Sequence, residues 1–313
     1  VIKINVITKS SDHLKLISID KIKIMYSQLY KTDLKSNTAL LIKISILTAI
    51  LWGGLLSSVK AQVPEGMKKD ANDWRFTLGG GVGYFADYEG SDDYNIVPLP
   101  LVGISWRDTV SIGSVGGLGL NVKFLKIKGP TPKDNLILSA GIGYFGGRDQ
   151  DDNDALNGLG DLEGGVTGKL SADYQHQSFG AKVSAVHDIS GGRKGTSINA
   201  GLRYAFALGS PKTQLTLGSS VTWANDKYME NIFGISSIQA TNSTLGYSAY
   251  SVASGFKDAG VNASVRHFMT QNIGIMGRIG YKQLLANAAD SPIVDRQGNA
   301  GQLSAIFGVS YNW

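Results

Sequence analysis

Large apolar side chains alternate with small or polar ones through most of the sequence beyond residue 61, and this period of two restricts the fold more than any other feature. In the segment 273–281 one parity reads Ile, Ile, Gly, Ile and Tyr, and the other reads Gly, Met, Arg and Gly. Successive side chains of a β-strand point to opposite faces, so such a segment has one apolar face. No stretch beyond residue 61 approaches the ~18 consecutive apolar residues of a membrane-spanning helix. The pattern therefore predicts an all-β fold.

Twelve segments follow this alternation, and most are close to the ~9–11 residues with which a tilted strand crosses a bilayer. We place the strands at 74–84, 94–106, 109–113, 117–126, 135–145, 162–174, 178–188, 196–208, 212–224, 256–267, 272–284 and 302–313. The connections between them are alternately long and short, as in outer-membrane barrels, except for a short link near 114–116.

The residues opposite the apolar parity distinguish a barrel in lipid from a soluble sandwich. They are mainly Gly, Ser, Thr and Asn, whereas the solvent face of a soluble sheet carries many Lys and Glu. Aromatic residues fall near strand ends on the apolar parity, as a membrane-interface girdle requires: Tyr84, Tyr144, Tyr174, Tyr204, Trp223 and Tyr281. We therefore predict a transmembrane antiparallel up-and-down β-barrel of about 12 strands in residues 62–313, with lipid and lipopolysaccharide outside and a polar lumen inside.

Residues 1–61 differ in composition from the rest of the chain. They hold nine Lys against three Asp, a balance of +6, so residues 62–313 carry −1 and a nucleic-acid partner is not indicated. An apolar run at 44–56 follows Lys43, and small or β-branched residues lie at Val59 and Ala61. These features predict an N-terminal extension with a secretory signal peptide cleaved near Ala61; an uncleaved anchor is the alternative. The chain has no Cys, which excludes disulfides and thiolate metal sites.

The last predicted strand ends on an aromatic residue. One apolar face of it carries Phe307, Val309, Tyr311 and Trp313. Such a strand resembles the signal by which the barrel-assembly machinery recognises outer-membrane substrates, since an amphipathic edge can pair with an open strand of another protein. The alternative is a last strand that simply ends on Trp. The assembly signal and the leader together predict location in the cell outer membrane.

Several short segments, in order along residues 74–313, resemble the MipA/OmpV family, the MltA-interacting proteins. They are Tyr88-Glu89-Gly90-Ser91, Pro98-Leu99-Pro100, Lys227-Tyr228-Met229, Phe233-Gly234-Ile235-Ser236, Gly255-Phe256-Lys257-Asp258 and Ala289-Asp290-Ser291-Pro292-Ile293-Val294. The resemblance implies a non-enzymatic outer-membrane scaffold that joins a murein lytic transglycosylase to a bifunctional murein synthase, and so a role in peptidoglycan synthesis and remodelling. Other family members are described as porin-like or adhesive, so a porin-like channel for small solutes is the alternative.

A scaffold would bind its murein enzymes at the periplasmic rim. The surface available there comprises residues 62–73, the turn at 127–134 with Lys126, Lys128 and Lys133, and the turn near Lys212. This surface is small, since specific protein interfaces bury ~800 Å² per partner. A partner enzyme would therefore contact the barrel rim broadly or bind weakly.

The residues of the mature segment do not form a recognisable catalytic, cofactor or metal motif. We interpret His176, His187 and His267 as polar residues of the barrel rims, and a lipid-active barrel enzyme is disfavoured. The acidic run 149–154 begins like a calcium loop, but Asp154 and Gly160 stand where such a loop needs Gly and Glu. We interpret it as a solvated loop. Bridging of lipopolysaccharide phosphates by divalent ions is the weaker hypothesis.

The parity assigned to the lumen is basic. It carries Arg75, Lys169, Lys182, Arg203, Arg266, Arg278 and Lys282 against Asp173 alone, so an open lumen would favour anions. We expect instead that acids of inward-folded loops, notably Asp87, Glu89 and the run 149–154, pair with these residues. The segment 225–255 is long enough to plug the barrel, with Asp226 capping a short helix.

Overall fold

The twelve predicted strands form a closed antiparallel barrel. The computed structural model describes residues 73–114, 119–131, 133–191 and 195–313, and the predicted extension, signal peptide and cleavage site lie outside these residues. Each strand pairs with its neighbours in sequence, and β1 pairs with β12 to close the sheet. The strands are β1 Trp74–Ala86, β2 Tyr94–Trp106, β3 Val110–Gly113, β4 Gly119–Lys128, β5 Asn135–Phe145, β6 Gly165–His176, β7 Phe179–Asp188, β8 Thr196–Leu208, β9 Ser210–Ala224, β10 Gly255–Phe268, β11 Ile273–Leu284 and β12 Gly301–Asn312. Their bounds agree with the predicted ones to within three residues.

The outer face of the barrel is apolar. Side chains of the predicted apolar parity are exposed there, including Ile96, Leu170 and Ile279, which retain 73%, 61% and 62% of their full exposure. A soluble protein would bury side chains of this size, because exposing large contiguous apolar surface to water is unfavourable. Inside, the opposite parity presents mainly Gly, Ser, Thr and Asn to the lumen.

The two ends of the barrel differ. The turns at 107–109, 177–178 and 269–272 belong to one end, which we call the turn end. At the other, the loop end, four connections are long enough to fold: loop 1 (87–93), loop 2 (146–164), loop 3 (225–254) and loop 4 (285–300). We call these four the cap loops, because they contain nearly all of the buried apolar side chains.

The cap loops hold short helices. They are two single 3₁₀ turns, Gln150–Asp152 and Asp154–Leu156, and four α-helices, α1 Asp226–Phe233, α2 Ser237–Asn242, α3 Ala286–Ala289 and α4 Pro292–Asp295. The predicted capping residue of α1 is wrong by one position: Asn225 has the extended backbone of an N-cap, and its Oδ1 accepts from the Tyr228 N–H at 3.1 Å. Asp226 instead lies in the first turn. No helix among the described residues is long and apolar enough to span a membrane.

Candidate functional site

The cap loops pack together into the main hydrophobic core of the described residues. Leu156 of loop 2, Met229 and Phe233 of loop 3, and Ile293 and Val294 of loop 4 are almost fully buried in one cluster. The wall of the barrel contributes little to it, because large side chains of the strands mostly face outward. Burial of these side chains against one another stabilises a folded cap at the loop end.

Hydrogen bonds between loops hold the cap loops in one arrangement. The Tyr88 hydroxyl of loop 1 donates to the carbonyl oxygen of Ile293 in loop 4 at 3.0 Å. The Ser291 hydroxyl of loop 4 donates to the carbonyl oxygen of Phe233 in loop 3 at 2.6 Å. The Tyr247 hydroxyl of loop 3 donates to the carbonyl oxygen of Ala155 in loop 2 at 3.1 Å. Every cap loop is therefore bonded to another by a side chain that is itself buried.

Loop 1 depends on a glycine. Gly90 has φ = +109°, a conformation that residues with a Cβ rarely adopt, and a Cβ there would collide with Val294. The Gly90 N–H donates to Gln302 Oε1 at 3.2 Å, and Gln302 Nε2 donates to the Ser91 carbonyl at 2.9 Å. This arrangement ties loop 1 to β12 and directs the neighbouring Glu89 into the barrel.

Below the cap, Glu89 joins a network of four charged side chains. Its carboxylate accepts from the ammonium groups of Lys257 on β10 and Lys282 on β11, the latter at 2.8 Å. Lys257 Nζ also lies 2.6 Å from a carboxylate oxygen of Asp258. The side chains of Lys257 and Asp258 are only 5% and 4% exposed, so each depends on its partner for compensation of its charge. Burial alone would raise the pKa of Glu89, but the ammonium groups of Lys257 and Lys282 outweigh it and hold that pKa well below its ordinary value.

Lys257 and Asp258 are not among the lumen residues predicted from the sequence. A β-bulge between Phe256 and Asp258 lets two successive side chains point inward, which strict alternation cannot predict. The signal in the sequence is the adjacent pair of charged residues, Lys257 and Asp258, because strict alternation would place one of them on the apolar face.

The predicted lumen-facing basic residues do not share one environment. Arg203 forms two hydrogen bonds to the Asp173 carboxylate, at 2.6 and 3.2 Å, and Lys282 pairs with Glu89. The other five have no ion pair with any described residue: Arg75, Lys169, Lys182, Arg266 and Arg278. Of the acids expected to pair with the lumen, only Glu89 does so. The expectation is wrong for Asp87, which accepts from Asn95 and Asn153 instead, and for the run 149–154.

A cavity of about 520 Å³ lies in the lumen directly below the cap. Its lining includes Glu89 and Ile232 from the cap loops and Asn262, Arg278 and Lys282 from the strands. The inner surface here is rich in hydrogen-bonding groups, unlike the outer face of the same strands.

The histidines and the acidic run make local hydrogen bonds. His187 Nδ1 lies 2.8 Å from Thr196 Oγ1, His267 Nδ1 lies 2.9 Å from Thr213 Oγ1, and His176 Nδ1 lies 3.1 Å from Asp134 Oδ1. Asp149 caps the first 3₁₀ turn by accepting from the Asp151 N–H. Within residues 73–114, 119–131, 133–191 and 195–313, no group of three or more His or acidic side chains is placed to hold a metal ion.

Comparison with known families identifies the chain. The sequence model described as MltA-interacting protein MipA matches residues 78–313. The chain belongs to the MipA family. This confirms the resemblance seen in the sequence, and it agrees with the closed barrel. No curated protein matches the chain with significance.

Two solved structures similar to this MipA-family barrel are distant from it in sequence. OmpT of Vibrio cholerae, an outer-membrane protein, is 8% identical with a TM-score of 0.35, over 77% of this chain and 97% of that one. OprD of Pseudomonas aeruginosa, also an outer-membrane protein, is 14% identical with a TM-score of 0.34, over 76% of this chain and 59% of that one. Likeness at this level does not bear on function.

Most of the segments that resembled the MipA family meet in the cap. Buried there are Tyr88, Ser91, Met229, Phe233 and Ser291, with Glu89 and Gly90 beside them. Tyr228 packs on the cluster, Gly234 ends α1, Asp290 ends α3 and Pro292 begins α4. Pro98 and Pro100 lie apart, on β2.

The turn end of this MipA-family barrel combines aromatic and basic residues. Around the junction of β1, β2 and β12, five aromatic rings form a continuous row with centroids 5.6–6.4 Å apart: Trp106, Trp74, Phe76, Trp313 and Tyr311. Of the residues proposed as an assembly signal, Phe307, Val309, Tyr311 and Trp313 are exposed on the outer face of this seam. Lys126, Lys128, Lys133 and Lys212 are exposed close to the turns.

Proposed function

We propose that this chain is a non-enzymatic outer-membrane scaffold that binds a murein lytic transglycosylase at its turn end and holds it, together with a murein synthase, at the membrane. The name of the family, MltA-interacting protein, supports the partner. The apolar outer face supports a barrel in the outer membrane, assembled there by the barrel-assembly machinery and surrounded by lipid and lipopolysaccharide.

The folded cap is the observation that carries this proposal. A barrel that transports solutes needs a continuous lumen, whereas here four loops share one hydrophobic core and exchange buried hydrogen bonds at the loop end. A barrel closed in this way can act through its surface. The turn end is the surface that a periplasmic enzyme reaches.

The charges at the turn end indicate how the enzyme is bound. Lys126, Lys128 and Lys212 are exposed there, and they would attract an acidic patch on the partner. Such contacts accelerate association and weaken as salt rises, because exposed charges are screened beyond ~10 Å at 0.1 M salt. The small area of the turns favours binding of moderate affinity.

Binding of a purified lytic transglycosylase to the barrel in nanodiscs, measured by biolayer interferometry, tests the proposal. We expect the triple variant Lys126→Glu, Lys128→Glu, Lys212→Glu to weaken binding about tenfold, through loss of charge complementarity. Two single charge reversals, Lys212→Glu and Lys227→Glu, form a matched pair. Lys212 lies at the turn end and Lys227 at the loop end, and both are exposed. Lys212→Glu should reduce affinity and Lys227→Glu should not. The proposal is contradicted if the enzyme does not bind the wild-type barrel, or if Lys212→Glu and Lys227→Glu reduce its affinity equally.

A second candidate function is a porin-like channel that favours anions. It is supported by the five inward-facing basic residues that have no ion pair with a described residue. The candidate requires the cap to open, so the current through single barrels decides between the two functions.

A further inference from the structure

We infer that the cavity below the cap is a binding site for a small hydroxylated anion, a sugar-like carboxylate or phosphate, whose charged group binds Arg278. This inference is independent of the proposed scaffold function. The cavity volume of about 520 Å³ lies within the range of ~300–1,000 Å³ that is usual for small-molecule sites.

The charged side chains that line the cavity are not balanced. Three cationic side chains, Arg148, Arg278 and Lys282, line the cavity together with two carboxylates, Asp87 and Glu89. Lys282 is neutralised by Glu89 at 2.8 Å. Asp87 accepts from two asparagine side chains, and the Arg148 guanidinium donates to the Ile232 carbonyl at 3.4 Å. One positive charge is left in excess, which suits an anionic group on the ligand.

Arg278 faces the cavity with its donors available. No described residue forms a hydrogen bond or an ion pair with its guanidinium group, which is exposed to the lumen. A planar guanidinium presents paired N–H donors that match two oxygens of a carboxylate or phosphate. In a narrow lumen with low-dielectric walls such a contact is stronger than on an open surface.

The barrel wall beside Arg278 has a recess flanked by polar side chains. Gly280 follows two residues later on β11, and the register places Asn262 of β10 and Ser304 of β12 on either side of it. Since Gly280 has no side chain, the wall is recessed between an amide and a hydroxyl. The Asn262 side chain bonds to no described residue, and the Ser304 hydroxyl makes one long contact of 3.5 Å to the Gly280 carbonyl. Ser220 adds another hydroxyl to the lining. These neutral groups suit the hydroxyls of a sugar-like ligand.

Isothermal titration of the refolded full barrel in detergent tests this site with three probes: gluconate, glucose 6-phosphate and neutral glucose. We expect saturable binding of gluconate, glucose 6-phosphate or both, and much weaker binding of glucose. The anion with the higher affinity shows whether the site prefers a carboxylate or a phosphate. Arg278→Gln should lower the affinity for the anion about tenfold or more, because a charged bidentate contact is lost. Arg266→Gln is the matched control: Arg266 is also inward-facing, exposed and without an ion pair to a described residue, but it does not line the cavity. It should leave affinity within about twofold.

The heat-dependent gel shift of a folded barrel verifies that each variant has folded. If Arg278→Gln does not refold, Ser304→Val tests the same site, because the valine side chain fills the recess beside Gly280. This variant should also weaken binding of the anion. Absence of saturable binding by both anions, glucose binding as well as gluconate, or equal loss from Arg278→Gln and Arg266→Gln would each overturn the inference.

Discussion

Arg203 on β8 reaches across β7 to the carboxylate of Asp173 on β6, with hydrogen bonds of 2.6 and 3.2 Å. The guanidinium group crosses β7 at Gly180, where a Cβ would lie 2.5 Å from Arg203 Cζ. Three adjacent strands are thus joined through a single contact inside the lumen, and the contact requires a residue without a side chain in the middle strand.

Gly180→Ala should therefore destabilise the barrel. The added methyl group displaces the guanidinium and breaks its pairing with Asp173, at a cost of about 1–3 kcal/mol for charged hydrogen bonds. Urea unfolding in lipid vesicles measures the free energy of unfolding. Gly80→Ala is the matched control, because a Cβ on this strand glycine meets nothing within 4 Å. Equal stability of the two variants would contradict the structural role of the contact.

Glu89→Gln should loosen the cap without unfolding the barrel. The change removes the carboxylate that pairs with Lys282 and one of the two that pair with Lys257, and losing these charged hydrogen bonds costs about 1–3 kcal/mol. Limited trypsin cleavage at Lys227 in loop 3 reports opening of the cap and should accelerate. Asp151→Asn, an exposed change in loop 2, should leave the rate unaltered; acceleration by both variants would point to a general effect of charge on the loops.

The Glu89 network should also withstand acid better than an ordinary carboxylate pair. The pKa of Glu89 is lowered in the folded state by Lys257 and Lys282, so its contribution to stability is complete above the unfolded pKa of about 4.3. That contribution declines only as the pH falls from there towards the lowered folded pKa. Infrared difference spectra between wild type and Glu89→Gln should show an ionised Glu89 carboxylate at pH 4. A protonated Glu89 at that pH would show that the ammonium groups do not compensate for burial.

The hydrophobic core of the cap predicts a local effect of truncation. Phe233 is fully buried in loop 3, and removing a buried phenyl ring costs about 3–5 kcal/mol, so Phe233→Ala should expose loop 3 to trypsin. Ile238→Ala provides the control, since Ile238 lies in the same loop and is 74% exposed. Heat-dependent gel shifts should remain normal in both variants, because the strands do not rely on this core. Resistance of Phe233→Ala to trypsin would mean that the cluster does not hold the cap closed.

Strands were predictable from the sequence because lipid outside and a polar lumen inside impose alternation on every residue of a strand. The length of the segment 225–255 predicted a plug, but the shared core of the four cap loops was not predicted. Loops have no period, and this core forms between residues as distant as Tyr88 and Ile293. Alternation also fails at a bulge, which is why Lys257 was missed. The segments resembling the MipA family nevertheless pointed to the cap, since Tyr88, Phe233 and Ser291 belong to them.

Inside the lumen, the positions of the basic residues were easier to predict from the sequence than their partners. Placing Arg203 and Lys282 inside required only the parity of their strands. The acid that pairs with each of them depends on where the loops and neighbouring strands lie. In the structure Asp173 and Glu89 are such partners, whereas Asp87 accepts from Asn95 instead. Register between strands, rather than composition, brings Asn262 and Ser304 to the two sides of Gly280.

Single-barrel current in planar lipid bilayers tests most directly whether this protein acts as a closed barrel. With the wild-type chain inserted, the cap predicts no steady conductance above that of the bare bilayer, whereas Phe233→Ala should admit intermittent current as the cap loops separate. Steady, anion-selective current through the wild-type barrel would contradict the closed cap, and with it the proposal that the protein works through its surface as a scaffold.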